Sequence, residues 1–157
     1  MDPAWLGQVG EELACRALRD LGWRVLHRNL RAPEAELDAV CRDGSTTVVV
    51  EVKTGRRPRA GWAPGWRPSE RIMPADVARR LRAGRRLARR AGGGHGPARV
   101  DLVEVQVARH RSGRPRLLHW RDLGPRAGAE GSAEPGGAEG PRPLSENKPP
   151  GGRRALP

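Results

Sequence analysis

The side chains best suited to chemistry are Glu51 and Lys53, which close the apolar run Val48-Val49-Val50. Of the 30 basic residues in the chain only two, Lys53 and Lys148, are lysine; the others are arginine. An ammonium is a compact charge that can lose its proton when desolvated, whereas a guanidinium stays protonated and spreads its charge over a plane. A lysine two residues from a glutamate on one strand face can therefore help to activate a water. Taken alone, the same two residues also describe a solvated ion pair of little energetic weight. A pattern as short as Glu-x-Lys arises readily by chance, so the neighbouring segments must decide between the two.

Strand alternation puts Val48, Val50 and Val52 on one face and Val49, Glu51 and Lys53 on the other. Upstream, a strand over about residues 36–41 is joined to a strand over about 46–54 by Arg42-Asp43-Gly44-Ser45, and Asp-Gly between apolar stretches is a strong hairpin signal. A two-residue turn at either Asp43-Gly44 or Gly44-Ser45 sets Asp38 opposite Glu51 or one diagonal away. Leu37, Ala39 and Cys41 then share the apolar face with Val48, Val50 and Val52. The opposite face gathers Glu36, Asp38, Glu51 and Lys53. A loop one residue longer or shorter would separate Asp38 from Glu51, and the hydrophobic matching argues against that slip.

Carboxylates gathered this closely repel one another unless a cation lies between them, and hard oxygen donors suit magnesium or manganese. A divalent ion held among these carboxylates could bind a phosphodiester oxygen and acidify a water, with Lys53 orienting that water or neutralising the phosphate. The alternative is an exposed charged face of a two-sided hairpin.

The elements that must position these residues follow from periodicity. Leu6, Val9, Leu13, Ala17 and Leu21 recur at helical spacing and predict an amphipathic helix over about residues 4–20, ending before Gly22. Trp23 to Asn29 reads as a first strand. Residues 55–68 lack periodicity and form a basic loop. Pro74 and Asp76 open a second helix that runs to about Arg90, with Val77, Leu81 and Leu87 on one side and many arginines on the others. Residues 100–107 predict a fourth strand and 116–120 a short fifth. The order of elements predicts an α/β fold with a mixed sheet flanked by helices.

The composition changes near Gly124. Residues 125–157 are dominated by Gly, Pro, Ala, Glu and Arg, too poor in apolar residues to offset their ordering entropy, which predicts a disordered tail after a folded domain of residues 1–124. Tyrosine and phenylalanine are absent, so the core must rest on Val, Leu, Ala and some of the five tryptophans. The net charge of +12 lies mostly in the folded part and fits a protein that meets phosphate backbones, although an anionic membrane or simple solubility would also be served. Cys15 and Cys41 are too few for a disulfide framework and lack zinc-site spacing. No apolar run approaches the roughly 20 residues of a spanning helix, and the chain starts without a charged and apolar leader. The expectation is a cytoplasmic protein that is not embedded in a membrane.

Gly10-Glu11-Glu12-Leu13-Ala14, Leu18, Gly22, His27-Arg28-Asn29-Leu30-Arg31, Glu36-Leu37-Asp38, Asp43-Gly44, Val50-Glu51-Val52-Lys53-Thr54 and Val100-Asp101-Leu102-Val103 together resemble the YraN family of uncharacterised bacterial proteins. The resemblance implies a restriction-endonuclease-like fold of the PD-(D/E)xK type, similar to archaeal Holliday junction resolvases, and hence a magnesium- or manganese-dependent endonuclease acting on DNA. Carried over by position, Asp38 and Glu51 would be metal ligands, Lys53 the catalytic lysine, and Glu11 an acid assisting at the metal through a water. The resolvase analogy also implies a homodimer. Three departures from the family pattern stand out: Ala35 replaces a usual glycine, a lysine near the start of the second helix has no counterpart, and the loop bearing Trp62 and Trp66 is longer. Those tryptophans could stack on exposed bases while Arg56, Arg57, Arg59 and Arg67 contact phosphates, or they could cover the edge of a core short of other aromatics.

Overall fold

A computed structural model describes residues 2–58, 60, 62–63, 67–90, 96–109, 113–124 and 141–144. Its elements run α1 (Pro3–Asp20), β1 (Arg24–Arg31), β2 (Glu36–Asp43), β3 (Thr46–Arg56), a 3-10 turn (Pro68–Arg71), α2 (Pro74–Arg90), β4 (Ala98–Val107), β5 (Arg116–Trp120) and β6 (Arg142–Pro143). The six strands form one sheet in the order β1-β2-β3-β4-β5-β6. All neighbours are antiparallel except β3 and β4, which are parallel because α2 carries the chain across between them. This is a mixed α/β sheet with a helix on each face, consistent with a restriction-endonuclease-like fold.

Each helix covers its own core. α1 starts on Asp2, whose side chain accepts from the Ala4 N–H, and packs Ala14, Cys15 and Leu18 against Ala39, Cys41, Val48, Val50, Val52, Val103 and Val105. α2 packs Val77, Leu81 and Ala83 against Leu37, Val40, Val49 and Val100 on the other face. The fully buried positions of α1 are Gly10, Ala14, Cys15 and Leu18, while Leu13, Ala17 and Leu21 flank them, so the buried stripe is narrower in side-chain size than the leucine periodicity predicts. Close approach is the reason. A Cβ on Gly10 would lie 1.8 Å from Thr54 Oγ1, and one on Gly84 of α2 would lie 2.9 Å from a Val49 methyl. Both helices therefore touch β3 through a glycine.

The β2–β3 turn is the two-residue Gly44-Ser45 form, with Asp43 paired to Thr46 and Gly44 at φ +57°. Pairing continues as far as Ala39 opposite Val50. Leu37 departs from the alternation predicted for it: it lies in the core beneath α2 and not with Ala39 and Cys41. Beyond Ala39 the β2–β3 ladder has ended and β2 pairs only with β1, where Leu37 lies opposite Leu30 and both pack in the core beneath α2.

Residues 141–144, read from composition as part of the tail, include β6, which pairs with β5. Leu144 is 5% exposed and joins the core beneath α1, an apolar contact that a composition count over the whole segment averages away. The remaining residues of 125–157 lie outside those described. No helix among the described residues is long and apolar enough to cross a membrane.

Candidate functional site

A cleft of about 440 Å³ opens where the N-terminal half of α1 passes the ends of β2 and β3, lined by Gly7, Glu11, Asp38, Glu51, Val52, Lys53, Thr54 and Arg71 among others. Glu11, Asp38, Glu51 and Lys53, the four residues singled out for catalysis, all line it. Glu36 does not, being exposed at the start of β2. Three local features assemble this group. The two-residue hairpin sets the β2–β3 register that carries Asp38 towards Glu51. The missing side chain at Gly10 lets α1 settle on Thr54 and brings Glu11 to the cleft wall. The parallel β3–β4 pairing, Glu51 with Leu102 and Lys53 with Glu104, buries the base of β3 from the far side.

Asp38 is held by its backbone surroundings. One carboxylate oxygen accepts from the Val52 N–H at 2.7 Å, in the place where the β2–β3 ladder has ended. Burial, reinforced by the nearby Glu51 carboxylate, pushes the Asp38 carboxyl up to about 7, against the opposing hydrogen bond from Val52 and the charge of Lys53. Glu51 has only 3% of its side chain exposed and is clamped by two cations: Lys53 Nζ lies 2.6 Å from one oxygen and Arg80 Nε 2.5 Å from the other. Lys53 keeps 30% exposure, so its ammonium is tied to Glu51 yet open to the cleft. Arg71 closes the rim and donates to the Thr54 carbonyl at 3.3 Å.

Asp38 and Glu51 supply hard oxygen donors of the type magnesium and manganese prefer. Each oxygen of Glu51 accepts one cation and retains a second lone pair, so the pair fits a divalent ion in donor chemistry. Among the described residues, however, no group of three His, Cys, Asp or Glu side chains converges as a ready-made metal cage.

The basic loop is more packed than its composition suggests. Trp62 lies against Gly55, where an added Cβ would come within 2.8 Å of its ring, and its indole N–H is buried without a partner among the described residues. Arg67 stacks over Trp120 with its guanidinium 5.8 Å from the ring centre and lies 3.6 Å from the fully buried Glu104. Arg56 ends β3, and the Arg57 N–H donates to the Val107 carbonyl at 3.0 Å. Arg59 and Trp66 lie outside the described residues.

Sequence reasoning did not anticipate Arg80, which lies 29 positions from Glu51 along the chain and reaches it only because α2 crosses over β3. It also missed a buried network on the α1 side of the sheet. His119, 1% exposed, lies 2.9 Å from Asp101, which also accepts from Arg99 and from the Asp122 N–H, while Arg99 reaches Asp43. His119 stacks edge-on to Trp23 at 5.6 Å. Buried at Asp101 and His119 and reaching the surface at Asp43, this network ties β4, β5 and the β2–β3 turn together. Cys15 and Cys41 are both buried and free, and burial pushes the Cys41 thiol up to about 12, as befits inert core residues.

Residues 10–105 match the model of the uncharacterised protein family UPF0102. The chain is 40% identical over 120 residues to a UPF0102 protein of Renibacterium salmoninarum, an alignment covering 76% of this chain and 95% of the relative. A UPF0102 protein of Streptomyces griseus is 42% identical over 121 residues, 75% of this chain and 94% of the relative. One of Mycolicibacterium vanbaalenii is 41% identical over 123 residues, 76% and 93% of the two chains. The family description names no activity. With near-complete coverage of such relatives and a family match spanning the cleft residues from Glu11 to Arg71, the chain belongs to UPF0102, the YraN family.

Proposed function

We propose that the chain is a metal-dependent nuclease that hydrolyses phosphodiester bonds of DNA, branched or structured DNA included, at the cleft formed by Asp38, Glu51 and Lys53. The observation that carries this reading is the pairing of Asp38 and Glu51 in one cleft, close enough that Glu51 helps to hold the Asp38 carboxyl well above its ordinary value, with Lys53 beside them and open to solvent. A magnesium or manganese ion bound there would supply positive charge to a phosphoryl oxygen and acidify a water. Asp38 and Glu51 would hold the ion. The Val52 N–H fixes one Asp38 oxygen and leaves the other for the ion. Glu51 in turn aims the Lys53 ammonium, which can orient the attacking water or neutralise the phosphate, and Glu11 faces the same space from α1. Arg71 adds a cation at the rim for an incoming phosphate.

The test uses purified protein with Mg²⁺ or Mn²⁺ and a panel of junction, flap, single-stranded and supercoiled DNA. The parent should cut at least one substrate, and Asp38→Ala and Lys53→Ala should abolish cutting while keeping the fold. Cutting retained by both variants removes the site. A homodimer, suggested by the resolvase analogy alone, is decided by sedimentation velocity.

A second reading, a non-catalytic nucleic-acid-binding module on the same scaffold, is favoured by the clamping of Glu51 between Lys53 and Arg80, which neutralise it without any metal. That module would bind DNA in a salt-dependent manner, ignore divalent ions and cut nothing. Calorimetric titration of manganese into the parent and into Glu51→Ala separates the two: heat lost in the variant supports the nuclease, and no heat in either supports the module.

A further inference from the structure

On the same face of the sheet as α2, a second pocket of about 240 Å³ lies at the other end of that helix, between the helix C-terminus and strands β1 to β3. Its walls combine three features that the cleft chemistry does not use. The first is a basic rim: Arg42 from β2 and Arg90 from the last turn of α2, with the His27 imidazole of β1 beside them. No carboxylate lines it, and the nearest acid of the β1–β2 connection, Glu34, is bound at 2.9 and 3.0 Å by Arg86. Among the described residues neither His27 nor Arg90 has an ion-pair or hydrogen-bond partner. Arg42 donates only to the Ser45 carbonyl, at 3.0 Å, with the rest of its fork uncommitted.

The second feature is Thr47. It stands directly across from Arg42 in the β2–β3 ladder, two positions from Val49 and therefore on the face that packs against α2. It is 2% exposed, and its hydroxyl is buried with no hydrogen-bond partner among the described residues. A buried hydroxyl beside two guanidinium groups costs free energy unless a water or a ligand satisfies it. The third feature is the apolar floor, to which Leu26 and Leu87 contribute. Cations around the mouth, a hydroxyl donor in the wall and an apolar floor match a group that is anionic at one end and apolar at the other, and the volume admits about one such unit.

We propose that this pocket seats one nucleotide unit of a nucleic-acid strand, the phosphate held by His27, Arg42, Arg90 and the Thr47 hydroxyl, and the sugar or base edge resting on Leu26 and Leu87. The assignment to a strand rests on the nucleic-acid part of the proposed function, though not on hydrolysis. It is favoured over a free nucleotide by the exposed arginines Arg82, Arg85 and Arg89 on the same helix and by the net charge of +12. The spacing also fits. Arg80 at the cleft and Arg90 at the pocket are ten residues apart on α2, about 15 Å, and Glu51 and Thr47 are four residues apart on β3, about 13 Å. At 3.4 Å of axial rise per nucleotide in a duplex, this is roughly four nucleotide steps between the cleft phosphate and the seated one. A strand following the helix would engage both ends of it.

The test measures anisotropy of a labelled single strand and a labelled hairpin duplex with the full chain in EDTA, where no cutting intervenes, across a salt series. Arg90→Ala should weaken binding by about fivefold to tenfold and lower the salt slope by about one. Thr47→Val changes shape little and charge not at all, yet should weaken binding by about threefold to tenfold through the lost hydrogen bond to an anion. Arg16→Ala with Arg19→Ala, exposed on α1 across the sheet, controls for bulk charge and should have the smaller effect per charge removed. The pocket assignment is overturned if both Arg90→Ala and Thr47→Val bind like the parent. It is likewise overturned if a mononucleotide or inorganic phosphate competes at the strand's own affinity, because the seat then recognises a free ligand. Parent protein that binds neither oligonucleotide sinks the nucleic-acid reading together with the pocket, whereas pocket variants that weaken binding in a protein that never cuts would sink hydrolysis alone.

Discussion

Asp38→Asn should make the metal-free protein more stable. Asparagine preserves the shape of the side chain and an oxygen for the Val52 N–H, now 2.7 Å away, but removes a carboxylate that burial and Glu51 have pushed from 3.8 to about 7. The difference of 7 − 3.8 = 3.2 pH units, at about 1.36 kcal/mol each, sets an upper bound of roughly 4 kcal/mol on the destabilisation by ionised Asp38. The amide carries its own desolvation cost, and the cleft relaxes around a charge, so the expected gain is about 1–3 kcal/mol. The direction with pH follows from the sign of the shift. A folded-state value above the unfolded one means the folded protein holds this proton more tightly. Asp38 therefore costs nothing below about pH 4; the cost grows as pH rises from about 4 to 7 and is constant beyond. Urea denaturation in EDTA at pH 4.5 and pH 8 measures this: the variant's advantage should be full at pH 8 and mostly gone at pH 4.5. Added manganese should then reverse the order, stabilising the parent and leaving the variant unmoved. A variant less stable than the parent at pH 8, or an advantage independent of pH, refutes the argument that this cleft holds an unfavourable buried charge.

Two further outcomes test how the cleft is built. Arg80→Ala leaves Glu51, 3% exposed, with Lys53 as its sole cation among the described residues, and should cost about 3 kcal/mol or more of stability in EDTA; if Arg80 stands where an ion would bind, manganese should raise the melting temperature of this variant more than that of the parent, and an equal rise contradicts that role. Gly10→Ala would gain about 1 kcal/mol in an isolated helix, but its Cβ would meet Thr54 Oγ1 at 1.8 Å and Thr54 Cβ at 2.8 Å, so a net loss of about 1–3 kcal/mol is expected, and a stabilised variant in thermal melts would show that α1 does not rest on β3 in this way.

Much of the site was legible because its information is local. The Asp-Gly-Ser turn and the valine run between them decide hairpin length and register, and register decides which side chains meet; Asp38, Glu51 and Lys53 follow from counting along two neighbouring strands. Element order is equally local, since helical and strand periods are written into adjacent residues. What the tertiary structure alone decided involves contacts across the α2 crossover or across the sheet. Arg80 reaches Glu51 through a helix whose docking is set by Gly84 against Val49, a packing constraint invisible in any pattern of arginines. The raised Asp38 value depends on how much water α1 excludes from the cleft, and Leu144 depends on a partner core more than a hundred residues upstream as well as on β4. Trp62 and Arg67, equally able by type to stack on bases, are drawn into contacts with Gly55, Trp120 and Glu104 because an apolar ring and a buried carboxylate near the loop offer burial that solvent does not. Sequence spacing specifies neighbours along a strand, whereas burial and charge pairing between distant segments exist only once the layers have closed on one another.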